Sequence, residues 1–174
     1  PFFDVVESEI DRLRPALDLL GRIRADEPGS VHDLGCGAGN VTKLLAERWP
    51  KARVTGIDNS MAMLEKARAG IYNQFEVQRG LPVQYLVKYF AKAGDNWQLS
   101  ADIRDMVQLR AFNLLESFAG LGQFDIVFCR NVLIYFDQPT KTSILTRISK
   151  LLAADGYLVL GGAETVVGLT EAFR

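Results

Sequence analysis

Histidine is nearly missing from this chain: there is one, His32, in 174 residues. A single imidazole cannot build a zinc site of several His and Cys ligands. It also leaves any Ser-His-Asp triad resting on a residue that reads as part of a strand. Cysteine is scarce as well, with Cys36 and Cys129 both in apparent core positions. Two such thiols do not make the framework of a disulfide-stapled secreted domain. Charge of one sign is lacking: 20 Lys and Arg face 21 Asp and Glu, for a net charge of −1. Without a basic excess, neither nucleic acid nor an anionic membrane surface is an expected partner. No apolar run is long enough to insert in a membrane, and the opening residues lack a basic-then-apolar leader pattern. A reducing cytoplasm is the expected location. What is present is an ordinary globular composition, 48% apolar and 24% charged. The length suits one domain over residues 1–174 with one sizeable core.

Residues 2–24 place Val6, Ile10, Leu13, Leu17 and Leu20 at spacings of three and four, which predicts one or two amphipathic helices with Pro15 as a break point. Val31-His32-Asp33-Leu34 reads as a strand running into a glycine turn. A helix follows with Val41, Leu44, Leu45 and Trp49 on one face, stopped by Pro50. Residues 53–57 form the next strand, Asp58 ends it, and Ser60 is placed to cap a helix carrying Met61, Leu64 and Ala67. Residues 107–112 and 124–129 are further strands. Ile144, Leu145, Ile148, Leu151 and Leu152 make a helical stripe that Gly156 is expected to close, before a final strand at 157–160. Continuous apolar strands alternating with helices predict an α/β fold, Rossmann-like, with a mostly parallel sheet and helices on both faces. Residues 71–106 break the alternation. The aromatic patch of Tyr85, Tyr89 and Phe90 and the turn Ala93-Gly94-Asp95-Asn96 predict a short helix, then a hairpin or three-stranded flap. This β insertion is expected at about 85–107. Loops after parallel strands gather on one edge, where ligands bind.

The chemistry-bearing signal is Asp33-Leu34-Gly35-Cys36-Gly37-Ala38-Gly39. Gly35 lets the chain turn after the strand, Gly37 lets backbone approach a ligand, and Gly39 lets the helix start close to the sheet. Asn40 stands where a dinucleotide G-x-G-x-x-G needs its last glycine, which weakens a nicotinamide reading. Asp33 suits a ligand with an ammonium group and would repel a pyrophosphate. S-adenosylmethionine (AdoMet) carries an ammonium and a sulfonium. Asp58, with Asn59 beside it, lies about twenty residues beyond the turn at a strand end, where a carboxylate accepts both hydroxyls of a ribose. Asn113 and Leu114, after the third core strand, are placed to hold an adenine. The loop after the fourth core strand brings Arg130, which can pair with a carboxylate. It also brings Asn131 and Tyr135, whose hydroxyl is either a hydrogen-bond donor to substrate or simply a surface group.

From about residue 61 to 174 the chain resembles the chemotaxis protein-glutamate O-methyltransferases, which methylate glutamates on bacterial chemoreceptors. The resemblance rests on Gly70-Ile71-Tyr72-Asn73, Phe75-Glu76-Val77-Gln78-Arg79-Gly80-Leu81-Pro82, Asn113-Leu114-Leu115, Cys129-Arg130-Asn131-Val132-Leu133-Ile134-Tyr135-Phe136-Asp137 and Gly161-Gly162-Ala163-Glu164-Thr165-Val166. It implies a class I AdoMet-dependent methyltransferase, with Asn113 and Leu114 on the cofactor, Asn131 near its amino-acid end, and Tyr135 at the methyl-transfer site. It likens residues 89–107 to that family's β-subdomain, which docks on receptor tails. Chemoreceptor cytoplasmic helices or tails are thereby implied as partners.

Residues 11–60 are similar instead to trans-aconitate methyltransferase, through Arg14-Pro15-Ala16-Leu17-Asp18-Leu19-Leu20, Leu44-Leu45-Ala46-Glu47-Arg48-Trp49-Pro50 and Val54-Thr55-Gly56-Ile57-Asp58-Asn59-Ser60-Met61. Pro1-Phe2-Phe3-Asp4 again resembles the chemotaxis enzymes. The chain therefore reads as a mosaic, a chimera whose seam is expected between the 41–49 helix and the 144–152 side of the sheet. The function expected by resemblance is carboxyl O-methyl transfer from AdoMet, releasing S-adenosylhomocysteine (AdoHcy). The alternatives are a chimeric AdoMet-binding domain with little or no catalysis and, from the glycine turn alone, a nicotinamide oxidoreductase.

Overall fold

Every residue of the first strand, β1 (Ser30–Leu34), is buried, including His32 and Asp33. That pattern arises when a strand is covered on both faces, and it is the mark of a parallel sheet between helical layers. A computed structural model describes residues 13–78 and 81–173. Its main sheet has five strands in the order β6-β2-β1-β7-β8, where β2 is Arg53–Asp58, β6 Val107–Ala111, β7 Phe124–Cys129 and β8 Leu152–Leu160. Each neighbouring pair is parallel, so the described sheet is parallel throughout. The chain leaves β1 toward β2 and later returns to β7 on its other side. This puts a topological switch point at the ends of β1 and β7.

Alternate strand residues face opposite layers. On one side α1 (Leu13–Leu20) and α2 (Asn40–Arg48) bring Leu20, Leu44 and Leu45, joined by Trp49, onto Val31, Val54, Ile126 and Phe128. On the other, α7 (Gln138–Leu151) brings Ile144, Leu145 and Ile148 onto Leu34, Ile57, Val127 and Cys129. Each such aliphatic side chain removed from water stabilises by roughly 1.5–3 kcal/mol. The two layers settle one expectation differently: the 41–49 helix and the 144–152 helix lie on opposite faces and do not meet.

Caps set the helix ends. Ser60 Oγ accepts from Met63 N–H at 3.4 Å to start α3 (Met61–Ala69), and Gly70 ends it in the left-handed region at φ 62°. Asp137 accepts from Thr140 N–H at 3.0 Å to start α7. Gly156 does not close α7. The helix ends at Leu151, the backbone is already extended at Leu152, and Gly156 sits inside β8, where a Cβ would come within 2.8 Å of the Asp125 carbonyl. The glycine is needed for close strand packing rather than for a cap. Pro15 lies inside α1 and does not break it. The expected helical positions Val6 and Ile10, the opening Pro1-Phe2-Phe3-Asp4, and Arg79-Gly80 fall outside the described residues.

A second sheet is antiparallel and three-stranded, in the order β3-β5-β4: Ile71–Tyr72, Asn96–Leu99 and Phe90–Ala93 respectively. Its third strand is the two-residue β3, too short for any alternation to reveal and outside the 85–107 span. Helices α4 (Gln74–Gln78) and α5 (Val83–Tyr89) precede β4, and α6 (Ala101–Asp105) follows β5. Tyr72, Val77, Leu99 and Ile103 form a small core of their own. The flap is pinned to α2, where Tyr89 Oη donates to Glu47 Oε1 at 2.7 Å.

Candidate functional site

The strand ends at the switch point border a cleft of about 870 Å³, within the range of roughly 300–1,000 Å³ usual for small-molecule sites. Three glycines of the turn after β1 adopt positive φ, Gly35 at 74°, Gly37 at 54° and Gly39 at 76°, and the first two line the cleft. The N–H groups of Gly35 and Cys36 both donate to the Ile57 carbonyl, at 2.7 and 2.9 Å, which folds the turn back over β2. Each glycine is needed for a different reason. A Cβ on Gly35 would lie 2.2 Å from Val132 Cγ2, whereas one on Gly37 would meet nothing within 4 Å. Gly37 therefore presents bare backbone to open cleft. Gly39 was expected to bring the helix close to the sheet and to hold the ligand. It does not line the cleft, and its absent Cβ instead leaves room for Ala67 of α3, at 3.2 Å.

The other residues singled out from sequence converge. Asp33, Gly35, Gly37, Asp58, Asn59, Asn113, Leu114, Arg130, Asn131 and Tyr135 all line this one cleft. Asp33 is buried, and its Oδ2 accepts from Thr42 Oγ1 at 2.6 Å. Burial pushes its carboxyl up to about 6, against the Thr42 hydrogen bond and the Arg130 charge, which both hold it down. Asp58 accepts from Gly37 N–H at 2.9 Å and from Ser60 N–H at 2.8 Å, one bond to each oxygen. A carboxylate has about four acceptor positions, so two remain for a ligand. Asn113 Oδ1 accepts from Leu115 N–H at 3.0 Å, fixing the loop so that Leu114 is buried beside the cleft. Tyr135 stands at the rim, 72% exposed.

The cleft also has walls that sequence reading did not single out. Met63, Lys66, Phe75 and Glu76 come from α3 and α4, with Lys66 ion-paired to Glu76. Beneath the glycine turn, Lys43 is buried and donates to Tyr72 Oη, which donates in turn to the Ala38 carbonyl at 2.8 Å. Burial lowers the Lys43 ammonium to about 7. Glu164 accepts four backbone hydrogen bonds, three from the loop after β7 and one from Gly161, just after β8. No local pattern marks most of these contacts, because Tyr72 reaches Lys43 and Glu164 reaches the β7 loop from about thirty residues away.

Nucleophilic thiol chemistry finds no support, since burial raises both the Cys36 and the Cys129 thiols well above their ordinary value. Among the described residues no cluster of His, Cys, Asp and Glu is arranged to hold a metal ion. No helix among them is long and apolar enough to cross a membrane. The cleft thus combines bare backbone at Gly37, a buried carboxylate at Asp33, a second carboxylate at Asp58 and an apolar side chain at Leu114. That set suits a ligand with an ammonium at one end and a ribose and base at the other.

Comparison with known proteins agrees. The family described as CheR methyltransferase, SAM binding domain, matches residues 13–174. The chain is 44% identical over 124 residues to a chemotaxis protein methyltransferase, Cher2, of Pseudomonas putida, covering 71% of this chain and 45% of that protein. It is also 44% identical over 91 residues to a trans-aconitate 2-methyltransferase of Enterobacter sp., covering 50% of this chain and 36% of that protein. The chain spans a little under half the length of the chemotaxis relatives it matches. Among solved structures, the glycopeptide N-methyltransferase MtfA complexed with S-adenosyl-L-methionine aligns with a TM-score of 0.59 at 20% identity, over 86% of this chain and 54% of that one. At that identity the likeness establishes the fold: Rossmann-like, of the class I methyltransferase type.

Proposed function

Because the chain belongs to the CheR methyltransferase SAM-binding domain family, we propose that it transfers a methyl group from AdoMet to carboxylates, with chemoreceptor glutamate side chains as acceptors. The observation that supports this most directly is the convergence of Asp33, Gly37, Asp58 and Leu114 on one cleft. In this reading Asp33 faces the ammonium of the donor, Asp58 and Asn59 the ribose, and Asn113 and Leu114 the adenine, while Gly35 and Gly37 let backbone come close. Bound AdoMet supplies a methyl carbon made electrophilic by its sulfonium. The acceptor carboxylate forms the new O–CH3 bond as the CH3–S bond breaks, and the electron pair returns to sulfur. A glutamate is ionised at neutral pH, so no general base is required. The protein's part is to position the two partners and exclude water. Arg130 draws the acceptor carboxylate toward the cleft, and Tyr135 at the rim orients it. The flap offers the surface on which receptor helices or tails dock, in the cytoplasm.

The test is transfer of radiolabelled methyl from AdoMet to receptor membranes, with the label released by mild base as expected of a methyl ester. Label that fails to appear, or that resists base, overturns the carboxylate assignment. Calorimetric titration with AdoMet, AdoHcy and NAD separates this reading from a nicotinamide enzyme, since only the first two should bind.

One observation favours a second reading. Two relatives named for different activities match this chain at the same 44% identity. A mosaic of the two would keep the donor site, which both kinds of parent use, and disturb acceptor alignment. A displacement of about 1 Å reduces rate roughly a hundredfold. The chimeric reading expects AdoHcy binding with receptor methylation weak or absent.

A further inference from the structure

The loop after β7 closes on an internal carboxylate. Glu164 Oε2 accepts from the N–H groups of Asn131 at 2.8 Å and Gly161 at 2.7 Å. Its Oε1 accepts from Val132 at 2.8 Å and Leu133 at 2.7 Å. The three successive N–H groups converge because Asn131 is left-handed, at φ 57°, and Val132 is right-handed, at φ −117° and ψ −44°. Alternation of this kind makes a concave nest of N–H groups that binds anions. Here the anion is a side chain of the same protein, 33 residues further along the chain from Asn131. Asn131 is the one non-glycine residue at positive φ among those described. A conformation of that kind persists when its surroundings hold it, and Glu164 supplies the hold.

The clasp adjoins the cleft through the residues that it holds. Arg130, Asn131 and Val132 all line the cleft. Val132 also rests on the glycine turn, where a Cβ on Gly35 would fall 2.2 Å from its Cγ2. The loop held by Glu164 and the turn after β1 therefore touch across the switch point. Gly161, just after β8, completes the arrangement: its missing Cβ is what admits both Glu164 Oε2, at 2.8 Å, and the Asn131 amide, at 2.9 Å.

We propose that Glu164 is a positioning residue for methyl transfer. By filling the nest at residues 131–133 it fixes the β7 loop against the glycine turn, and so sets the geometry in which donor and acceptor meet. This rests on reading the cleft as the methyl-donor site. Glu164 itself does not line the cleft, so its effect passes through Arg130, Asn131 and Val132.

Two variants test this from opposite sides. Glu164→Gln keeps the shape but turns an amide NH2 toward two of the four donors. Gly161→Ala keeps the carboxylate and wedges a methyl between it and the Asn131 amide. Amide proton shifts of Asn131, Val132, Leu133 and Gly161 should move upfield in Glu164→Gln as the charge-assisted bonds are lost. At a temperature where each variant is fully folded, AdoHcy should bind about tenfold or more weakly, because the loop that lines its site is no longer pre-organised. A purely structural role would lower the melting temperature and leave that affinity unchanged, so a folded variant with wild-type affinity overturns the proposal. Unmoved amide shifts overturn it too, because the clasp would then not exist. If Glu164→Gln does not fold, Gly161→Ala carries the same affinity comparison. Wild-type protein that fails to bind AdoHcy overturns the donor-site reading itself, and the amide shifts of the unliganded protein distinguish that result from failure of the clasp.

Discussion

Gly37 N–H donates to Asp58 Oδ2 at 2.9 Å, so the carboxylate assigned to the ribose also holds the glycine turn in place. Asp58→Ala should therefore act twice. Loss of charge-assisted bonds to the ribose weakens AdoHcy by about 1–3 kcal/mol. Release of Gly37 and Ser60 also lowers the melting temperature with no ligand present. Calorimetry and melts of the free variant check the two effects separately, and an affinity equal to wild type removes Asp58 from the site.

Gly35 and Gly37 should fail in different ways. Gly37→Val places its side chain in open cleft. It should keep a cooperative fold, weakened by roughly 1–2 kcal/mol through its left-handed backbone, and lose AdoHcy binding. Gly35→Ala drives a methyl into Val132 and should be the more destabilised of the two. A ligand-induced rise in melting temperature that survives in Gly37→Val would show that the turn is only structural.

Asp33 predicts a pH-dependent affinity. Its carboxyl is raised from 3.8 to about 6 in the free protein, and an ammonium beside it favours the charged form. Binding should then release a proton and strengthen as pH rises from 5 to 7, by up to about tenfold per unit below the folded value. The unliganded fold shows the reverse sign. Between pH 3.8 and 6 the folded state binds more protons than the unfolded, so this group makes stability fall as pH rises. Asp33→Asn should flatten both profiles. Calorimetry in buffers of different ionisation enthalpy measures the proton release, and an affinity indifferent to pH across this range refutes the pairing.

Lys43 predicts a stability profile in the alkaline range. Burial lowers its ammonium from 10.5 to about 7. From pH 7 to 10.5 the unfolded chain binds more protons, so stability should rise with pH, by at most about 5 kcal/mol over the whole interval. Lys43→Met keeps the apolar stem and should be more stable than wild type at pH 7, with a flatter slope. Urea melts at pH 7, 8 and 9 decide this. Equal slopes in the two proteins would mean that Lys43 keeps its proton in the fold.

Much of the donor side of the cleft was legible before folding, because its chemistry is local. Asp33, Gly35 and Gly37 sit within five consecutive residues, and Asp58 ends the next strand. Local signals also misled where a close neighbour decided the matter. Gly156 has the sequence position of a helix-ending residue, but the Asp125 carbonyl beside it explains the glycine. Gly39 reads as the glycine that lets its helix start close to the sheet, but the close neighbour of its absent Cβ is Ala67 of another helix.

What the amino-acid order by itself determined is the alternation of buried strands with amphipathic helices, the positive-φ turn after β1, and hence the edge of the sheet on which a ligand sits. These follow from φ/ψ limits and from hydrophobic periodicity, which act between residues close in the chain. Only the tertiary structure decided that helices 40–48 and 138–151 lie on opposite faces, that Lys43 is buried against Tyr72, and that Glu164 fills the nest at residues 131–133. A carboxylate far along the chain has many N–H groups within reach in principle. The closing of β8 beside β7 selects those of Asn131, Val132 and Leu133, because unpaired N–H groups and a partly buried charge are both costly until they meet.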